Sequence, residues 1–411
     1  MRRGHRFSPR LMTPLHILVL APQPFFQNRG TPIAVRRLVE QLAGDGHRVD
    51  LLVYAEGEDV VIPNCTVHRI PRLPGIRGIR PGFSLKKVVA DLAFGAKALR
   101  MIRRLRPDVV HAVEESAFIA MAGRWLTGVP FIYDMDSSLA QQLVEQVPLF
   151  RVLRPLFVWF ERAAVRGSIG TVVVCRALED TALNYAPGKP VTRVEDASLL
   201  DGQPAVTREP LPDAVLPGPV AMYVGNLEQY QGIDLLLEGF RGALREVPTA
   251  QLVLIGGNPE TIAHYQELAK QCEIAANVHF LGPKPVSLLG NFLGQADVVV
   301  SPRMRGINTP MKVYSYLDSG VPVLATRLLT HTQVLDDTVA MLVDPVPEAM
   351  AAGLVRLFSN PGLRAELGAR GRQLARREFT SEIIGERLRS FYSDMGRRLR
   401  ETSPVKTGDR R

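Results

Sequence analysis

Val220-Ala-Met-Tyr-Val-Gly-Asn-Leu-Glu-Gln-Tyr-Gln-Gly-Ile-Asp234 opens with an unbroken apolar run, turns at a glycine and leads into an amphipathic helical pattern. A run that is apolar on both faces suits a strand of a parallel sheet covered by helices. The unit repeats downstream, with strands expected at 251–255, 278–281, 297–300 and 321–325 and helical patterns between them. A short strand ends at Asp344 and Pro345, and Arg-rich helices follow, the last at 382–400. Upstream, Leu211-Pro-Asp-Ala-Val-Leu-Pro-Gly-Pro-Val220 interrupts the alternation. Before it the same series runs through His16-Ile-Leu-Val-Leu-Ala21, a helix at 32–42, Val49-Asp-Leu-Leu-Val-Tyr54, Asp108-Val-Val-His-Ala-Val113, Phe131-Ile-Tyr133 and Gly170-Thr-Val-Val-Val-Cys175. The expected fold class is α/β, with two Rossmann-like doubly wound domains facing a central cleft. The expected bounds are 14–200, a linker at 201–218, 219–381, and a disordered polar tail at 402–411.

Composition narrows the class. The chain has 411 residues, 46% hydrophobic and 22% charged, a globular balance that excludes a wholly disordered or collagen-like chain. Lys and Arg number 50 against 41 Asp and Glu, a net +9 that invites phosphate-bearing partners. Nucleic acid is not expected, because no known binding motif accompanies the charge. Cys65, Cys175 and Cys272 are scattered and odd in number, which supports neither a disulfide framework nor a zinc site. A reducing cytoplasmic setting is the expectation. Arg2, Arg3, His5, Arg6 and Arg10 precede an apolar run, 17–21, far too short for a signal core or a spanning helix. The protein is expected to be soluble or peripheral on the inner face of a membrane.

Function is sought in the loops after the strands, where open α/β sheets bind ligands. The first, Ala21-Pro-Gln-Pro-Phe-Phe-Gln-Asn-Arg-Gly-Thr-Pro32, contains Arg29, Gly30 and Thr31 and ends in a proline suited to a first helical position. A phosphate is its natural guest; an ordinary strand-to-helix turn is the alternative. It matches neither GxGxxG nor a P-loop. His111-Ala-Val-Glu-Glu115 and Tyr133-Asp-Met-Asp-Ser-Ser138 bring His111, Glu114, Glu115, Asp134 and Asp136 to strand ends, suited to gripping sugar hydroxyls or taking a proton. For His111 a satisfied structural role is the alternative. In the second half, Gly225, Asn226 and Gln231 follow one strand, Gly256 another, and Leu281 a third. The richest stretch is Ser301-Pro-Arg-Met-Arg-Gly-Ile-Asn-Thr-Pro-Met-Lys-Val-Tyr-Ser-Tyr-Leu-Asp-Ser-Gly-Val-Pro-Val-Leu-Ala325. Thr309 is expected as an N-cap with Pro310 at the first helical position, and Arg303, Arg305 and Lys312 lie close enough in sequence to assist a diphosphate there. A capped surface helix with solvated charges is the alternative.

Lys312, Tyr316, Gly320 and Val321-Pro-Val323, with Tyr223-Val-Gly-Asn-Leu227 and Gly232-Ile-Asp-Leu-Leu236, resemble the donor half of glycosyltransferase family 4, retaining enzymes of the GT-B fold. The resemblance runs from about 16 to about 393. It implies a nucleotide-sugar in the C-terminal domain, an acceptor in the N-terminal one, no metal, no other cofactor, and a final helix that crosses back to the first domain. The departures are specific. The family's two glutamates fall on Ile307 and Ser315, its diphosphate-gripping Arg and Lys on Asn226 and Gln231, and its N-terminal His on Asp136. One reading is a divergent active hexosyltransferase with Asp136, Arg305 and Lys312 as catalytic residues. Its donor side would comprise Gly30, Gly225, Asn226, Gln231, Gly256, Leu281, Asn308, Thr309, Pro310, Met311 and Ser315. Arg29, Thr31, His111, Glu114 and Asp134 would line the acceptor side. A second reading is an inactive binding or scaffold subunit, and a third a sugar-nucleotide epimerase.

The active reading expects transfer to a lipid-linked or saccharide hydroxyl in glycolipid, polysaccharide or other cell-envelope glycan synthesis. Arg72, Arg77, Arg80, Lys86 and Lys87 interleave with Leu73, Ile76, Ile79, Phe83 and Leu85, and Arg151-Val-Leu-Arg-Pro-Leu-Phe-Val-Trp-Phe160 repeats the mixture. Such stretches suit an anionic membrane surface, or equally a solvated loop and a half-buried helix.

Overall fold

The computed structural model describes residues 13–27, 30–75, 78, 84–138, 152–200, 210–211 and 217–402. The chain divides into two compact units, one of Met1–Val194 with Gly385–Arg411, the other of Glu195–Ile384. The first is built on a parallel sheet of β1 (His16–Leu20), β2 (Arg48–Val53), β3 (Cys65–Arg69), β4 (Val109–Val113), β5 (Phe131–Met135), β6 (Gly170–Val173) and β7 (Val191–Arg193), in the order β3-β2-β1-β4-β5-β6-β7. The second carries β8 (Val220–Val224), β9 (Gln251–Ile255), β10 (Val278–Gly282), β11 (Val298–Ser301), β12 (Val323–Thr326) and β13 (Met341–Val343), in the order β10-β9-β8-β11-β12-β13.

Strand order reverses between β1 and β4 in one sheet and between β8 and β11 in the other. Loops leaving such a pair run in opposite directions and open a crevice at the carboxyl ends of the strands. Position 114 follows β4 directly, and residues 225–232 and 302–311 leave β8 and β11, so each group flanks a crevice of its own sheet.

Central strands bury every side chain, as in β4 and β5, which accounts for their apolar runs. Strands β3 and β7 gave no such run because they are edges. Their residues, Cys-Thr-Val-His-Arg and Val-Thr-Arg, are at least partly exposed. Strands β1, β2 and β3 are also stapled together by polar groups. Asp50, buried on β2, accepts from His16 Nε2 on β1 at 2.7 Å and from His68 Nε2 on β3 at 2.5 Å.

From Gly385 onward, the last helix, Ser381–Thr402, belongs to the first unit. Leu388, Phe391, Tyr392 and Met395 share a core with Ile17, Val19, Val109 and Ile132. Gly170 makes this packing feasible, since a Cβ there would lie 2.8 Å from the Phe391 ring and 2.9 Å from Met395 Sδ. Among the described residues, no helix is long and apolar enough to cross a membrane. The expected linker, 201–209 and 212–216, and the tail from 403 lie outside the described residues, as do Arg29, Ile76, Arg77, Ile79, Arg80, Phe83 and Arg151.

Candidate functional site

The crevice of the second sheet is built around one lysine. Lys312 opens the helix Lys312–Ser319, and its Nζ sits 3.8 Å from the centre of the Tyr223 ring on β8. It donates to Gln231 Oε1 at 3.2 Å. Gly225, the first residue after β8, has φ +151°, and a Cβ there would stand 2.7 Å from Lys312 Nζ. The glycine therefore makes the room in which the ammonium lies. Tyr223 is held in turn by donating its hydroxyl to the Asn226 carbonyl at 2.6 Å. No carboxylate pairs with Lys312 among the described residues. Burial, and then the charge of Arg303, hold its pKa well below the usual lysine value. Among the described residues the Lys312 amine is thus flanked by an amide and a ring and by no anion.

The loop between β11 and this helix is braced from behind. Ser301 Oγ meets His331 Nε2 at 2.8 Å, Thr326 donates to the Arg303 carbonyl at 2.6 Å, and Thr330 donates to that of Asn308 at 2.7 Å. Burial, outweighing the backbone bond from Thr326, lowers the His331 pKa to about 4, so the ring acts as a neutral strut. Arg303 folds inward. Its Nε donates to the Arg305 carbonyl at 2.7 Å, its Nη2 to Asn308 Oδ1 at 3.1 Å, and its guanidinium lies 5.3 Å from the Tyr230 ring centre. Thus Arg303 shapes the loop, while Arg305 is exposed on it.

Three expectations are corrected here. The helix begins at Lys312, so Pro310 precedes it and Thr309 is no N-cap. The reason is local: the Pro310 carbonyl accepts from Val313 at 2.9 Å, and the chain enters helical geometry only after the proline. Thr309 is 5% exposed and its hydroxyl has no partner among the described residues. Ser315 is buried, and its Oγ accepts the Leu199 amide at 2.9 Å, which spends it on the second unit's own structure. Leu281 is half-buried and packs its side chain against a core cluster.

Gly30 apart, the remaining donor-side residues fall on the same sheet edge. Gly256 has φ +115°, and a Cβ there would collide with the Gly225 carbonyl at 2.1 Å. Asn226 is exposed and donates to the Tyr230 hydroxyl at 3.4 Å, whereas Gln231 is buried. Met311 is half-buried and Pro310 buried.

In the first unit, β4 pairs with β5 so that Val113 lies beside Asp134. Glu114 follows with φ +49°, its amide donating to the Asp134 carbonyl at 2.9 Å and its carboxylate accepting from Ser137 Oγ at 3.2 Å. Burial, then the charge of Glu115, push the Glu114 carboxyl up to about 7. Glu115 pairs with Lys87, which also bonds Asp91 at 3.0 Å. Asp136 is half-buried on the loop after β5. His111 faces protein groups with both ring nitrogens. It is fully buried, and its two ring nitrogens face the Tyr392 hydroxyl at 2.7 Å and Asp134 Oδ2 at 2.9 Å. Gly30 starts the helix Gly30–Gly44, exposed, with open space where a Cβ would stand, and Thr31 is half-buried beside it. Pro32 is thus the third helical residue and not the first.

Two family patterns match the chain. Residues 29–195 match "Glycosyl transferase 4-like domain" and residues 214–374 match "Glycosyl transferases group 1". The chain belongs to glycosyltransferase family 4. As a family 4 glycosyltransferase it is similar to the phosphatidyl-myo-inositol mannosyltransferase of Mycolicibacterium smegmatis, 24% identical over 93% of this chain and 95% of the relative. It is also similar to the D-inositol 3-phosphate glycosyltransferase of Corynebacterium diphtheriae, 31% identical over 43% of this chain and 42% of that one. Among solved structures, sucrose-phosphate synthase from Thermosynechococcus elongatus superposes with a TM-score of 0.71 at 20% identity, covering 94% of this chain and all of that one. Anabaena HepE in complex with UDP-glucose gives 0.71 at 13% identity, with 92% and all covered. These likenesses give the fold: GT-B, with two Rossmann-like units. Sequence reading missed Tyr223, His331 and Tyr392. The first hides inside an apolar strand, and the other two carry no spacing signal that tells a partner from a packing residue.

Proposed function

We propose that this glycosyltransferase moves a hexose from a nucleotide-sugar to a hydroxyl acceptor with retention of configuration and without a metal, in the assembly of a cell-envelope glycolipid or polysaccharide. The observation that carries the reading is Lys312, an ammonium without an anionic partner among the described residues, in a cradle made by Gly225, Tyr223 and Gln231. In the transfer, the bond between the anomeric carbon and the diphosphate oxygen breaks and the acceptor oxygen bonds to the same carbon. The hydroxyl proton leaves with the diphosphate. Negative charge grows on the leaving group, and a preorganised cation beside it lowers the barrier. Lys312 supplies that charge, and Arg305, exposed on the adjoining loop, adds to it. Among the described residues, no cluster of His, Cys, Asp or Glu could hold a metal ion.

A nucleoside diphosphate hexose as donor is supported by the UDP-glucose bound in HepE. A polyol or lipid-linked acceptor is supported by the names of the inositol-directed relatives. Peripheral attachment to an anionic membrane has its own support. Leu85, Val88, Val89 and Leu92 on the helix Leu85–Leu105 are exposed beside Lys86. Val152, Leu153, Leu156, Trp159 and Phe160 are exposed on and before the helix Arg154–Gly167.

Thermal-shift screening with UDP, GDP, ADP and their hexose conjugates identifies the donor. Turnover of that donor by wild type and Lys312→Ala then tests the site. A folded Lys312→Ala protein that loses at least about a hundredfold in kcat/KM, on the scale of a lost transition-state contact, supports the reading. Full activity of that variant overturns it.

A further inference from the structure

Tyr392 lies on the last helix, 1% exposed, between the rings of His47 and His111, whose centres are 5.8 and 6.1 Å from its own. Packing explains the ring and leaves the hydroxyl unexplained, since Phe391 and Met395 on the same helix fill the core with apolar groups alone. That hydroxyl is 2.7 Å from His111 Nδ1, and His111 Nε2 is 2.9 Å from Asp134 Oδ2. A carboxylate oxygen accepts only, so Nε2 carries the proton and Nδ1 accepts from Tyr392. Burial, and then the charge of Asp134, hold the phenol pKa far above its usual range, which keeps it a donor. The imidazole thereby has one tautomer and one orientation.

Asp134 is the end point of the chain. Its Oδ2 is taken by His111, its backbone carbonyl accepts the Glu114 amide, and Oδ1 has no partner among the described residues on a side chain that is 12% exposed. We propose that Tyr392 is a positioning residue for the acceptor: through His111 it holds Asp134 so that Oδ1 is presented to an acceptor hydroxyl beside the Asp136–Ser138 loop. The inference rests on the reading above that the acceptor binds the first unit. An oriented carboxylate binds a hydroxyl in one direction, whereas a carboxylate on a loose imidazole must be ordered by the ligand.

Tyr392→Phe keeps the ring and removes one hydrogen bond. The acceptor KM should rise about tenfold, the effect of one misplaced hydrogen bond, while donor KM stays unchanged and the variant remains folded. Combined with Asp134→Asn, the loss should not exceed that of Asp134→Asn alone, because the two act through one contact. A purely structural tyrosine would lower the melting temperature with acceptor KM intact, or reduce donor and acceptor parameters together, or add to Asp134→Asn; any of these overturns the proposal. Should the wild-type chain transfer no sugar to any acceptor, the functional reading itself falls. Nitrogen-15 shifts of His111 then still judge the relay. A ring protonated at Nε2 in wild type and mixed in Tyr392→Phe supports it, and a wild-type ring protonated at Nδ1 overturns it.

Discussion

Lys312 Nζ stands over the Tyr223 ring, 3.8 Å from its centre, with an amide oxygen and, among the described residues, no carboxylate to balance it. Burial and Arg303 depress its pKa from the ordinary 10.5. A bound diphosphate reverses that balance and draws a proton onto the amine. Binding of the donor's nucleoside diphosphate should therefore take up protons at pH values between the lowered and the restored pKa, and weaken as pH rises through that window. Titration calorimetry in buffers of different ionisation heat measures the uptake, and Lys312→Met should abolish it. The unliganded protein behaves in the opposite sense. Its unfolded state binds the proton more readily, so this group makes stability rise with pH up to about 10.5.

Gly225 and Gly30 make a paired test of what a glycine does. A Cβ at Gly225 meets Lys312 Nζ at 2.7 Å and the Tyr223 hydroxyl at 3.1 Å, at a φ of +151° that side chains rarely adopt. Gly225→Ala should cost about 1–3 kcal/mol of stability and raise donor KM. Gly30→Ala meets nothing within 4 Å and should stay within about 0.5 kcal/mol of wild type. Urea unfolding and steady-state kinetics read both effects.

Strand β8 was legible almost to the residue because a central parallel strand must be apolar throughout, and that is a sequence property. The Lys312 cradle was legible in its parts, since Gly225 and Gln231 follow a strand end and Lys312 opens the helix after another. What the sequence concealed is partnership. Nothing in the order of residues tells that Ser315 accepts the Leu199 amide, that Arg303 turns back onto Asn308, or that His111 is enclosed by Asp134 and Tyr392, 281 positions away in the last case. Those pairings are products of tertiary packing, and a polar residue at a strand end looks the same in sequence whether it faces a ligand or a neighbour.

Glu114 makes a pH prediction of definite sign. Its carboxyl is raised to about 7, first by burial and then by Glu115, so the folded state holds the proton more tightly than the unfolded one. The stabilisation is fully present below about 4.5 and is lost as pH rises through 7. Glu114→Gln removes the ionisable group and should gain about 1–3 kcal/mol relative to wild type at pH 8.5, with little gain at pH 5. Melting temperatures of the two proteins across that range provide the check.

Asp50 acts in the opposite direction. Burial opposes its ionisation, but the bonds and charge of His68 and His16 outweigh it and its pKa falls below the ordinary 3.8. The stability it supplies is present above that ordinary value and lost as pH drops through the folded one. Asp50→Asn should cost about 2–4 kcal/mol at neutral pH, as a broken buried charge-assisted network does. It should also show a shallower fall in melting temperature between pH 5 and 3 than wild type.

Trp159 is 60% exposed and Leu156 47%, one helical turn apart on Arg154–Gly167, with Val152 83% exposed before the helix. Residues three and four apart share a helix face, so these side chains form one apolar stripe alongside Arg154. Water gains nothing from such a stripe, whereas a lipid interface buries the rings and an anionic headgroup meets the arginine. Vesicles of phosphatidylglycerol should sediment the protein, vesicles of phosphatidylcholine should do so less, and added salt should release it. Trp159→Glu together with Leu156→Glu should abolish sedimentation while leaving turnover of a water-soluble acceptor unchanged, because neither residue lies on a strand-end loop. Retained binding by that double variant would reassign attachment to the exposed Leu85, Val88 and Leu92 face of the other helix.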